Sequence, residues 1–408
     1  MHILFLTHYF PPEVNAPASR TYENAKRWIR EGHEVTVITC NPSHPAGVVY
    51  PGYRNKLWQW HKLDGIRILR VKTFLSPNKG FAKRILNHLS YLVSATVFCL
   101  FAGKADVVVS TSPQFFCGLA GYTVSRIKRA PWVLEIRDLW PESIIAVGAV
   151  KGRRLINILE GLETWMYRKA DRIVALTNAF KRHIIGRGVP AGHISVITNG
   201  ADLDQFRVLP KENGFRQEQG LTGKFVVSYV GTHGMAHGLD TIFAAAEKLR
   251  ERHDIVFLLV GDGAERERLV QEKANRGLSN VIMLPQQKKE RMPEILAASD
   301  ACMVLLKKTD LFKTVIPSKI FEAMAMERPI ILGVDGESRD IVEEGQCGLC
   351  IEPENPHALA EAVVRLKEEK NLAVELGTKG KSFVAARYSR ESLAMEYLKL
   401  LATTGGST

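Results

Sequence analysis

Cysteine is scarce in this chain, and its placement sets the first limits. Six cysteines are spread over 408 residues, at positions 40, 99, 117, 302, 347 and 350. This spacing is too open for a disulfide framework. Cys347 and Cys350 have the spacing of a redox or zinc pair, but a zinc site needs a second pair, and the flanking residues are typical of a strand. No cleavable signal peptide precedes the first predicted strand, so we expect a cytosolic protein.

Three patterns suggest ion or cofactor binding, but the residues around each of them argue against it. The Gly261–Gly263 turn begins like a dinucleotide fingerprint, but position 266, which should be glycine, is Arg266, so hydride transfer is disfavoured. His233 and His237 have the spacing of a zinc helix, but the glycine-rich loop between them and the missing carboxylate argue against zinc. Asp202–Asp204 follows an Asn-Gly turn, and we interpret it as part of an interdomain hinge. No metal site and no resident cofactor are predicted.

Negative charge is in short supply in the first half of the chain. Residues 1–205 hold 27 Lys and Arg against 14 Asp and Glu, whereas residues 206–408 hold 28 against 29, so the net charge of +12 comes from the first half. A one-sided basic surface favours a polyanionic partner: nucleic acid, an anionic membrane or a phosphorylated lipid. The apolar segment at residues 85–103 favours the membrane and lipid options, and no nucleic-acid partner is expected.

Buried strands alternate with helical patterns through most of the chain, which predicts an α/β protein with parallel sheets. A first series runs from HILFLTHY at residue 2 to ISVITNG at residue 194, and a second from KFVVSYVG at residue 224 to CGLCIEP at residue 347. We therefore expect doubly wound domains at 1–205 and 206–388, and a C-terminal helix at 389–408 that packs back across the domain boundary. Ligands of such sheets bind beyond the carboxyl ends of the strands, so a cleft between facing domains is expected to hold the chemistry.

The segment TVIPSKIFEAMAMERPIIL at residues 314–332 carries the most specific chemistry. Pro317 can start a helix, Ser318 and Lys319 lie in its first turn, and a helix N-terminus beside a lysine is an anion site. Backbone N–H groups would hold a diphosphate, and Lys319 would neutralise its charge. Glu322, one turn later, could accept hydrogen bonds from ribose hydroxyls. On an ordinary surface helix the same Lys and Glu would only be solvated, so the surrounding sequence decides between the two interpretations.

With this segment the chain resembles the retaining glycosyltransferases of family 4, whose GT-B fold has two facing Rossmann-like domains. The resemblance runs over nearly the whole chain, and PSKIFEAMAMERPII is its most specific part. Supporting matches are HYFPPEVNAPASR in the first loop, DLWPES at 138–143, NGADLDQF at 199–206, VGTHGMAHGLD at 230–240 and VGDGAERERL at 260–269. Within the family the chain is similar to bacterial transferases of the WbuB type. These add N-acetylated deoxysugars such as fucosamine to lipid-linked intermediates of O-antigen, capsule or exopolysaccharide.

The chain departs from the family pattern at four positions. The family's paired glutamates lie eight positions apart, and the partner of Glu322 falls on Thr314. The Arg and Lys that assist the departing diphosphate in the family fall on Thr232 and His237, and the histidine often found after the fourth strand falls on Arg137. Positive charge would still come from other side chains, namely Lys319, Arg137, His233 and His237.

The resemblance implies a metal-independent, retaining glycosyltransferase of the hexosyltransferase class. The second domain would bind a nucleotide diphosphate sugar, taken as uridine-linked, and the first a polyprenyl-diphosphate-linked acceptor, so that domain closure assembles the site. The predicted catalytic residues are Lys319, Arg137, Asp138 and Glu322. The predicted nucleotide-sugar-binding residues are Glu13, Asn15, Gly231, Thr232, His233, His237, Gly261, Gly263, Pro317, Ser318, Lys319, Ile320 and Glu322. Asp138 either orients Arg137, meets the acceptor, or is a structural residue that caps the turn after its strand.

Two other functions remain open. A nucleotide-sugar epimerase of the same architecture would bind the nucleotide but would need no lipid acceptor, which fits a basic and apolar first domain poorly. A degenerate transferase would only bind nucleotide or lipid, or scaffold a polysaccharide assembly, and the missing family residues keep this alternative open.

Residues 85–103 contain no acidic, Lys or Arg side chain. Basic residues flank the segment, namely Lys79, Lys83, Arg84 and Lys104. Its length borders on a membrane span, but polar residues dilute it, and a strand of the first domain follows within one turn. Either it is a buried core helix, or its apolar face enters the lipid interface while its basic flanks meet anionic headgroups. The tract at 152–172 either suits such an interface or is a surface helix with one packed face. We expect peripheral attachment to the cytoplasmic face of the plasma membrane.

Overall fold

The chain divides into two compact units, each built around its own sheet. A computed structural model describes residues 1–77, 81–112, 114–142, 145 and 152–406. The first unit consists of Met1–Thr198 and Glu391–Thr408, and the second of Asn199–Arg390. Both units have a largely parallel sheet with helices, so the predicted α/β architecture is confirmed.

The first unit has a sheet of eight strands in the described residues. They are β1 (His2–Leu6), β2 (Glu34–Cys40), β3 (Trp58–Leu63), β4 (Ile66–Val71), β5 (Val107–Thr111), β6 (Trp132–Ile136), β7 (Arg172–Ala175) and β8 (Ile194–Val196). Their order in the sheet is β3-β4-β2-β1-β5-β6-β7-β8. The apolar runs that predicted a parallel sheet form β1, β2 and β4–β8, and most of these strands are buried.

Strand β3 was not predicted from the sequence, and it pairs antiparallel with β4 at the edge of the sheet. Its sequence, WQWHKL, is half exposed and polar, so it lacks the apolar run that marks the other strands. Asp64 and Gly65 join it to β4, both with positive φ, as a two-residue hairpin turn requires. The Asp-Gly pair was the signal that could have revealed this hairpin.

The helices of the first unit begin with α1 (Ala16–Arg30), α2 (Phe81–Phe98), α3 (Phe115–Lys128), α4 (Arg153–Lys169) and α5 (Asn178–Gly186). Asn15 caps α1, because its side-chain oxygen accepts a hydrogen bond of 2.9 Å from the backbone N–H of Ala18. A short 3₁₀ turn, Cys99–Ala102, extends α2 toward β5.

The second unit has six parallel strands: β9 (Phe225–Val230), β10 (Ile255–Val260), β11 (Val281–Leu284), β12 (Ala301–Leu305), β13 (Ile330–Gly333) and β14 (Gly348–Cys350). Its helices are α6 (Gly214–Glu218), α7 (Asp240–Lys248), α8 (Arg266–Arg276), α9 (Met292–Ala297), α10 (Lys319–Ala325), α11 (Glu337–Glu344), α12 (Pro356–Glu368) and α13 (Lys370–Arg387). The strand order β11-β10-β9-β12-β13-β14 reverses between β9 and β12. Ligands of doubly wound sheets bind at the carboxyl ends of the strands at such a reversal.

The last helix, α14 (Arg390–Thr404), completes the core of the first unit from Glu391 onward. The indole N–H of Trp28 on α1 donates a hydrogen bond of 2.9 Å to the carbonyl of Ala394. The rings of Trp28 and Tyr397 meet edge to face with centroids 5.3 Å apart, and both side chains are fully buried. Residues far apart in sequence therefore share one apolar cluster.

We expect Tyr397→Ala to destabilise the first unit. Removing a buried aromatic ring lowers the free energy of unfolding by about 3 kcal/mol or more, because the surrounding side chains close the cavity only in part. Hydrogen exchange should show faster exchange in α1 and α14, with the second unit as an internal reference. Tyr397→Phe is the matched control: the Tyr397 hydroxyl is buried and has no hydrogen-bond partner among the described residues, so its loss should not weaken the unit. Unchanged exchange in the alanine variant would contradict this packing.

Candidate functional site

Two glycine turns at the carboxyl ends of β9 and β10 pack directly on each other. The backbone N–H of His233 donates a hydrogen bond of 2.8 Å to the carbonyl of Asp262. Gly261 has φ of +154°, and a Cβ at this position would lie 1.9 Å from the Gly231 carbonyl oxygen. Gly263 has φ of +157°, and its Cβ would lie 2.4 Å from the His233 carbonyl oxygen. Both positions therefore require glycine, for space as well as for backbone conformation.

Lys319, the first residue of α10, places its amine beneath these turns. A Cβ on Gly231 would lie 2.8 Å from Lys319 Nζ. The same Nζ lies 3.8 Å from the centre of the Tyr229 ring, at the end of β9. It is closed to solvent and has no hydrogen-bond partner among the described residues. Burial lowers the pKa of Lys319 to about 7, although the nearby carboxylate of Glu322 opposes the shift. Among the described residues no anion hydrogen-bonds the amine, so its proton is held weakly.

His233 and His237 lie near the same aromatic ring. Their ring centres are 6.1 Å and 5.9 Å from that of Tyr229. Both ring nitrogens of His233 and Nδ1 of His237 are buried without a hydrogen-bond partner among the residues described. Burial lowers the pKa of each histidine to about 4, and the Lys319 amine adds to both shifts. Both imidazoles are therefore neutral at pH 7 in this structure, and of the expected charge only that of Lys319 remains, partly lost at pH 7 because its pKa is about 7.

The start of α10 contributes less to anion binding than its sequence suggested. Ser318 is the N-cap residue, but its side chain makes no capping hydrogen bond. The backbone N–H of Ile320 is already used in a hydrogen bond of 3.1 Å to the carbonyl of Pro317, and the Ile320 side chain is buried in the core. The helix is only 7 residues long. The side chain of Lys319 and the glycine turns are therefore the main elements of the site.

At three positions that the sequence singled out, Thr232, Thr314 and Asp202, polar groups make ordinary structural hydrogen bonds. The carbonyl of Thr232 accepts a hydrogen bond of 2.9 Å from the Tyr229 hydroxyl. The Thr314 hydroxyl donates to the carbonyl of Leu311 within a 3₁₀ turn. Asp202 Oδ1 accepts the backbone N–H groups of Asp204 and Gln205, each at 3.1 Å. Among the described residues no group of three or more His, Cys, Asp or Glu is arranged to hold a metal ion.

Glu322 lies one turn after Lys319 on α10. Burial raises its pKa, while the cations Arg390, Lys319 and Lys289 oppose the shift. A carboxyl group held between burial and nearby cations is a suitable acceptor for hydroxyl groups. Its predicted contact with ribose hydroxyls remains a prediction.

Arg137 follows β6 in the first unit and is held among charged neighbours. Its backbone N–H donates to Ser112 Oγ at 2.8 Å. Burial lowers the pKa of the Arg137 guanidinium to about 10, so it stays charged at pH 7. Burial alone would raise the pKa of the neighbouring Glu135, but Arg20, at 2.8 Å, and Arg137 lower it below its ordinary value. Asp138 is half-buried beside Arg137, and the carbonyl of Asp138 accepts a hydrogen bond of 3.5 Å from the Ser112 hydroxyl.

Glu13 and Asn15, predicted to approach the donor, both have local partners in the first unit. Glu13 is buried, and its Oε1 accepts the backbone N–H groups of Ser43 and His44 at 2.9 and 3.0 Å. Asn15 caps α1. Ser143, the last residue of the DLWPES match, lies outside the described residues.

The predicted site residues thus fall into two groups. The glycine turns, the two histidines and Lys319 converge in the second unit, whereas Arg137, Asp138, Glu13 and Asn15 belong to the first unit. Sequence reasoning missed Tyr229, whose ring contacts Lys319. The signal was present: Tyr229 is an aromatic residue two positions before Gly231, the glycine that follows strand β9.

Both halves of the chain match models of known protein families. Residues 15–200 match the "Glycosyl transferase 4-like domain" and residues 211–383 match "Glycosyl transferases group 1". The chain is 24% identical over 380 residues to the putative colanic acid biosynthesis glycosyl transferase WcaI of Escherichia coli strain K12, covering 89% of this chain and 91% of that protein.

Solved structures with the same architecture include a sucrose-phosphate synthase and the protein HepE. Sucrose-phosphate synthase from Thermosynechococcus elongatus has a TM-score of 0.78 at 18% identity and covers 100% of both chains. HepE from Anabaena, solved in complex with UDP, has a TM-score of 0.71 at 18% identity and covers 99% of this chain and 100% of its own. At 18% sequence identity, structural similarity of this kind establishes the fold alone.

Two doubly wound units with such structural neighbours define the GT-B fold. One family model matches each half of the chain, and the chain therefore belongs to the glycosyltransferases of the family 4 type. The predicted family and fold are confirmed. The likeness to the WbuB subgroup remains a prediction.

The buried amine makes a testable prediction about pH. Below pH 7 Lys319 is charged in the folded and in the unfolded chain, and burial penalises the folded one. Between pH 7 and about 10.4 only the unfolded chain keeps the proton, so the contribution of Lys319 to the free energy of unfolding rises with pH. We expect Lys319→Met to be more stable than the parent protein at pH 6, and this advantage to shrink toward pH 9.

Urea unfolding at pH 6, 7.5 and 9 measures the difference. Lys248 is exposed on α7, so Lys248→Met should differ from the parent protein by the same amount at every pH. A pH-independent difference for Lys319→Met as well would contradict the buried charge.

Proposed function

We propose that the protein transfers a sugar, with retention of anomeric configuration and without a metal ion, from a UDP-linked donor to a polyprenyl-diphosphate-linked acceptor. The observation that carries the proposal is the buried Lys319 amine, which has no hydrogen-bond partner among the described residues and lies below two glycine turns. A diphosphate would supply the missing anion and raise the pKa of Lys319, so the leaving group would be stabilised most as its charge develops.

The donor assignment rests on chemistry and on one structural neighbour. Backbone at both glycine turns can approach a ligand closely because no Cβ stands in the way. HepE, with the same fold, was solved with UDP. Uridine is therefore the base proposed here, and Glu322 is the proposed partner of the ribose hydroxyls.

In the first unit, Arg137 is the proposed second cation, because it remains charged at pH 7 and a guanidinium can bind a phosphate with two hydrogen bonds. Asp138 would orient Arg137 or receive the acceptor. These roles are assigned from the properties of each residue within its own unit.

The proposed pathway is bacterial surface polysaccharide synthesis, with an N-acetylated deoxysugar such as fucosamine as the transferred group. WcaI, the relative matched over most of its length, is named for colanic acid biosynthesis. WbjE of Pseudomonas aeruginosa, 26% identical over 277 residues, is a probable glycosyltransferase. The WcaI name supports the class of product, the WbjE name supports the transferase activity, and the resemblance to the WbuB type supports the sugar.

The proposed place of action is the cytoplasmic face of the plasma membrane, and helix α2 supports it. Lys83–Ala102 is long and apolar enough to cross a membrane, which is weak support by itself. Tyr91, Ala95 and Cys99 are buried on one side of this segment. A stripe on the other side is exposed, and we call it the α2 stripe: Leu86, Leu89, Val93, Val97 and Leu100. An exposed apolar stripe of this kind suits the lipid interface better than water.

Aromatic and basic residues extend this surface. The exposed rings of Trp58 and Phe101 lie 5.1 Å apart beside the end of the α2 stripe. Residues 65–105 carry seven Lys and Arg and no Asp or Glu. Lys79 lies outside the described residues, whereas Lys83, Arg84 and Lys104 are exposed. A surface that combines apolar, aromatic and basic groups matches an anionic membrane.

Donor binding is tested by thermal stability with UDP, GDP, ADP, NAD and no ligand. We expect UDP to stabilise the protein, because a ligand at about 100 times its dissociation constant contributes about 2.7 kcal/mol. Lys319→Ala should lose this stabilisation and all turnover, whereas the exposed-site control Lys248→Ala should keep both. Full turnover by Lys319→Ala would remove its assigned role.

Membrane attachment is tested by flotation with vesicles of neutral and anionic lipids. Val93 and Val97 are 62% and 53% exposed, so Val93→Asp with Val97→Asp should leave the fold intact and weaken binding at least tenfold, about 1.4 kcal/mol. Val374→Asp, at a 68% exposed position of the second unit, is the control. Salt should weaken the contribution of the basic residues, since the Debye length is about 8 Å at physiological ionic strength. Equal binding by all variants would contradict the proposed surface.

A further inference from the structure

A second cluster of polar side chains lies in the first unit, at the carboxyl ends of β1 and β2. We call it the histidine pocket, lined by His8, His44, His88, Arg84 and Asn87. His8 follows β1, His44 follows β2, and the other three residues lie near the start of α2. The cavity volume is about 30 Å³, enough for a small polar group and too small for a sugar ring.

The imidazoles of the histidine pocket are held by ring contacts rather than by hydrogen bonds to carboxylates. The rings of His8 and His88 lie 5.0 Å apart, and that of Tyr9 lies 5.2 Å from His8 and 5.0 Å from His44. His8 is buried, and its Nδ1 has no hydrogen-bond partner among the described residues. A buried, unsatisfied ring nitrogen is costly unless a ligand meets it.

The charges around the histidine pocket favour an anion. Arg84 is the permanent cation among the lining residues. Burial first, and then Arg84, lower the pKa of His44 and of His88, the latter to about 4. The carboxyl group of Glu13 already accepts the backbone N–H groups of Ser43 and His44, in the loop that carries His44.

Three further groups complete the electrostatics of the pocket. Tyr9 and Cys40 also line it, and the cationic Arg70 lies behind Cys40, donating a hydrogen bond of 2.9 Å to the Cys40 carbonyl. Burial raises the pKa of Tyr9 to about 12 and that of Cys40 well above its ordinary value, so both are neutral at pH 7. The pocket thus presents neutral N–H donors and a guanidinium, and an anion inside it would favour protonated imidazoles.

Helix α2 connects the histidine pocket to the α2 stripe. Arg84, Asn87 and His88 line the pocket, whereas Leu86 and Leu89, from the same two turns, are exposed. Measured along the helix axis, the pocket residues and the first residues of the α2 stripe lie within one turn, about 5 Å, of each other, but at 100° per residue their side chains leave opposite sides of the helix. The chain of a lipid whose phosphate occupied the pocket would therefore pass around α2 to reach the stripe. A free anion would gain nothing from the stripe, whereas a lipid phosphate would let the lipid use both surfaces.

We propose that the histidine pocket binds a phosphate group, and that this phosphate belongs to the diphosphate of the lipid-linked acceptor. The proposal rests on the proposed function for the identity of the lipid, and on the pocket itself for the phosphate. Neutral N–H donors and the guanidinium would hold the oxygens, while the isoprenoid chain would extend along the α2 stripe.

Calorimetry tests the proposal with inorganic pyrophosphate and farnesyl diphosphate as probes. The full chain carries Lys319→Met in these titrations, so that the other candidate diphosphate site does not contribute. We expect farnesyl diphosphate to bind more tightly than pyrophosphate. His44→Ala should weaken both at least tenfold, and His44→Gln, which keeps an N–H donor, should recover part of the loss. His357, exposed on α12, provides the matched control His357→Ala.

Different outcomes overturn different parts of the proposal. Equal pyrophosphate affinity of His44→Ala and His357→Ala would show that the pocket does not bind phosphate. Equal affinity of the pocket for pyrophosphate and farnesyl diphosphate would remove the lipid as the source. Loss of UDP binding on introducing His44→Ala alone, with Lys319 intact, would assign the pocket to the nucleotide. If the parent protein binds farnesyl diphosphate through His44 but transfers no sugar, the proposed function fails and the phosphate site stands.

Discussion

The site in the second unit depends on one buried group without a hydrogen-bond partner among the described residues, the amine of Lys319. It is enclosed by the Tyr229 ring and the Gly231 backbone. Removing an ammonium group from water without a counter-ion costs several kcal/mol, and the pKa of about 7 reflects that cost. The fold tolerates it because the glycine turns and α10 are fixed by their own packing. A diphosphate would supply the missing charge and would find a site that needs little rearrangement. Preorganisation of this kind favours a developing negative charge over a neutral ligand.

In the first unit, helix α2 meets three different surroundings: the apolar core, the polar histidine pocket and the solvent. One side of the helix packs in the core through Tyr91 and Ala95, and its early turns line the histidine pocket. The α2 stripe remains exposed, at a cost in water that a lipid interface would remove. The lack of acidic residues between 65 and 105 removes the repulsion that anionic headgroups would otherwise meet. Phosphate recognition and membrane contact would thus share one helix.

Apolar periodicity predicted both parallel sheets because buried strands leave continuous runs, but it missed the half-exposed edge strand β3. The family motif identified Lys319 and Glu322, since their spacing along one helix is local. Convergence of Tyr229, His233 and His237 on the Lys319 amine depends on how separate strand ends meet, and no local pattern encodes it. The charge states depend on burial for the same reason: His237 occupies a position where the family has a cation, yet its imidazole is neutral at pH 7. His8, His44 and His88 are separated by dozens of residues, so the pocket they form was not predicted.

The most direct test of the central claim is a transfer assay in lipid vesicles with UDP-linked sugars and polyprenyl-diphosphate-linked acceptors, followed by mass spectrometry and analysis of the product's anomeric configuration. The account predicts a lipid product heavier by one glycosyl residue, with the configuration of the donor retained. Conversion of the UDP-sugar to an epimer without any glycosylated lipid would contradict it.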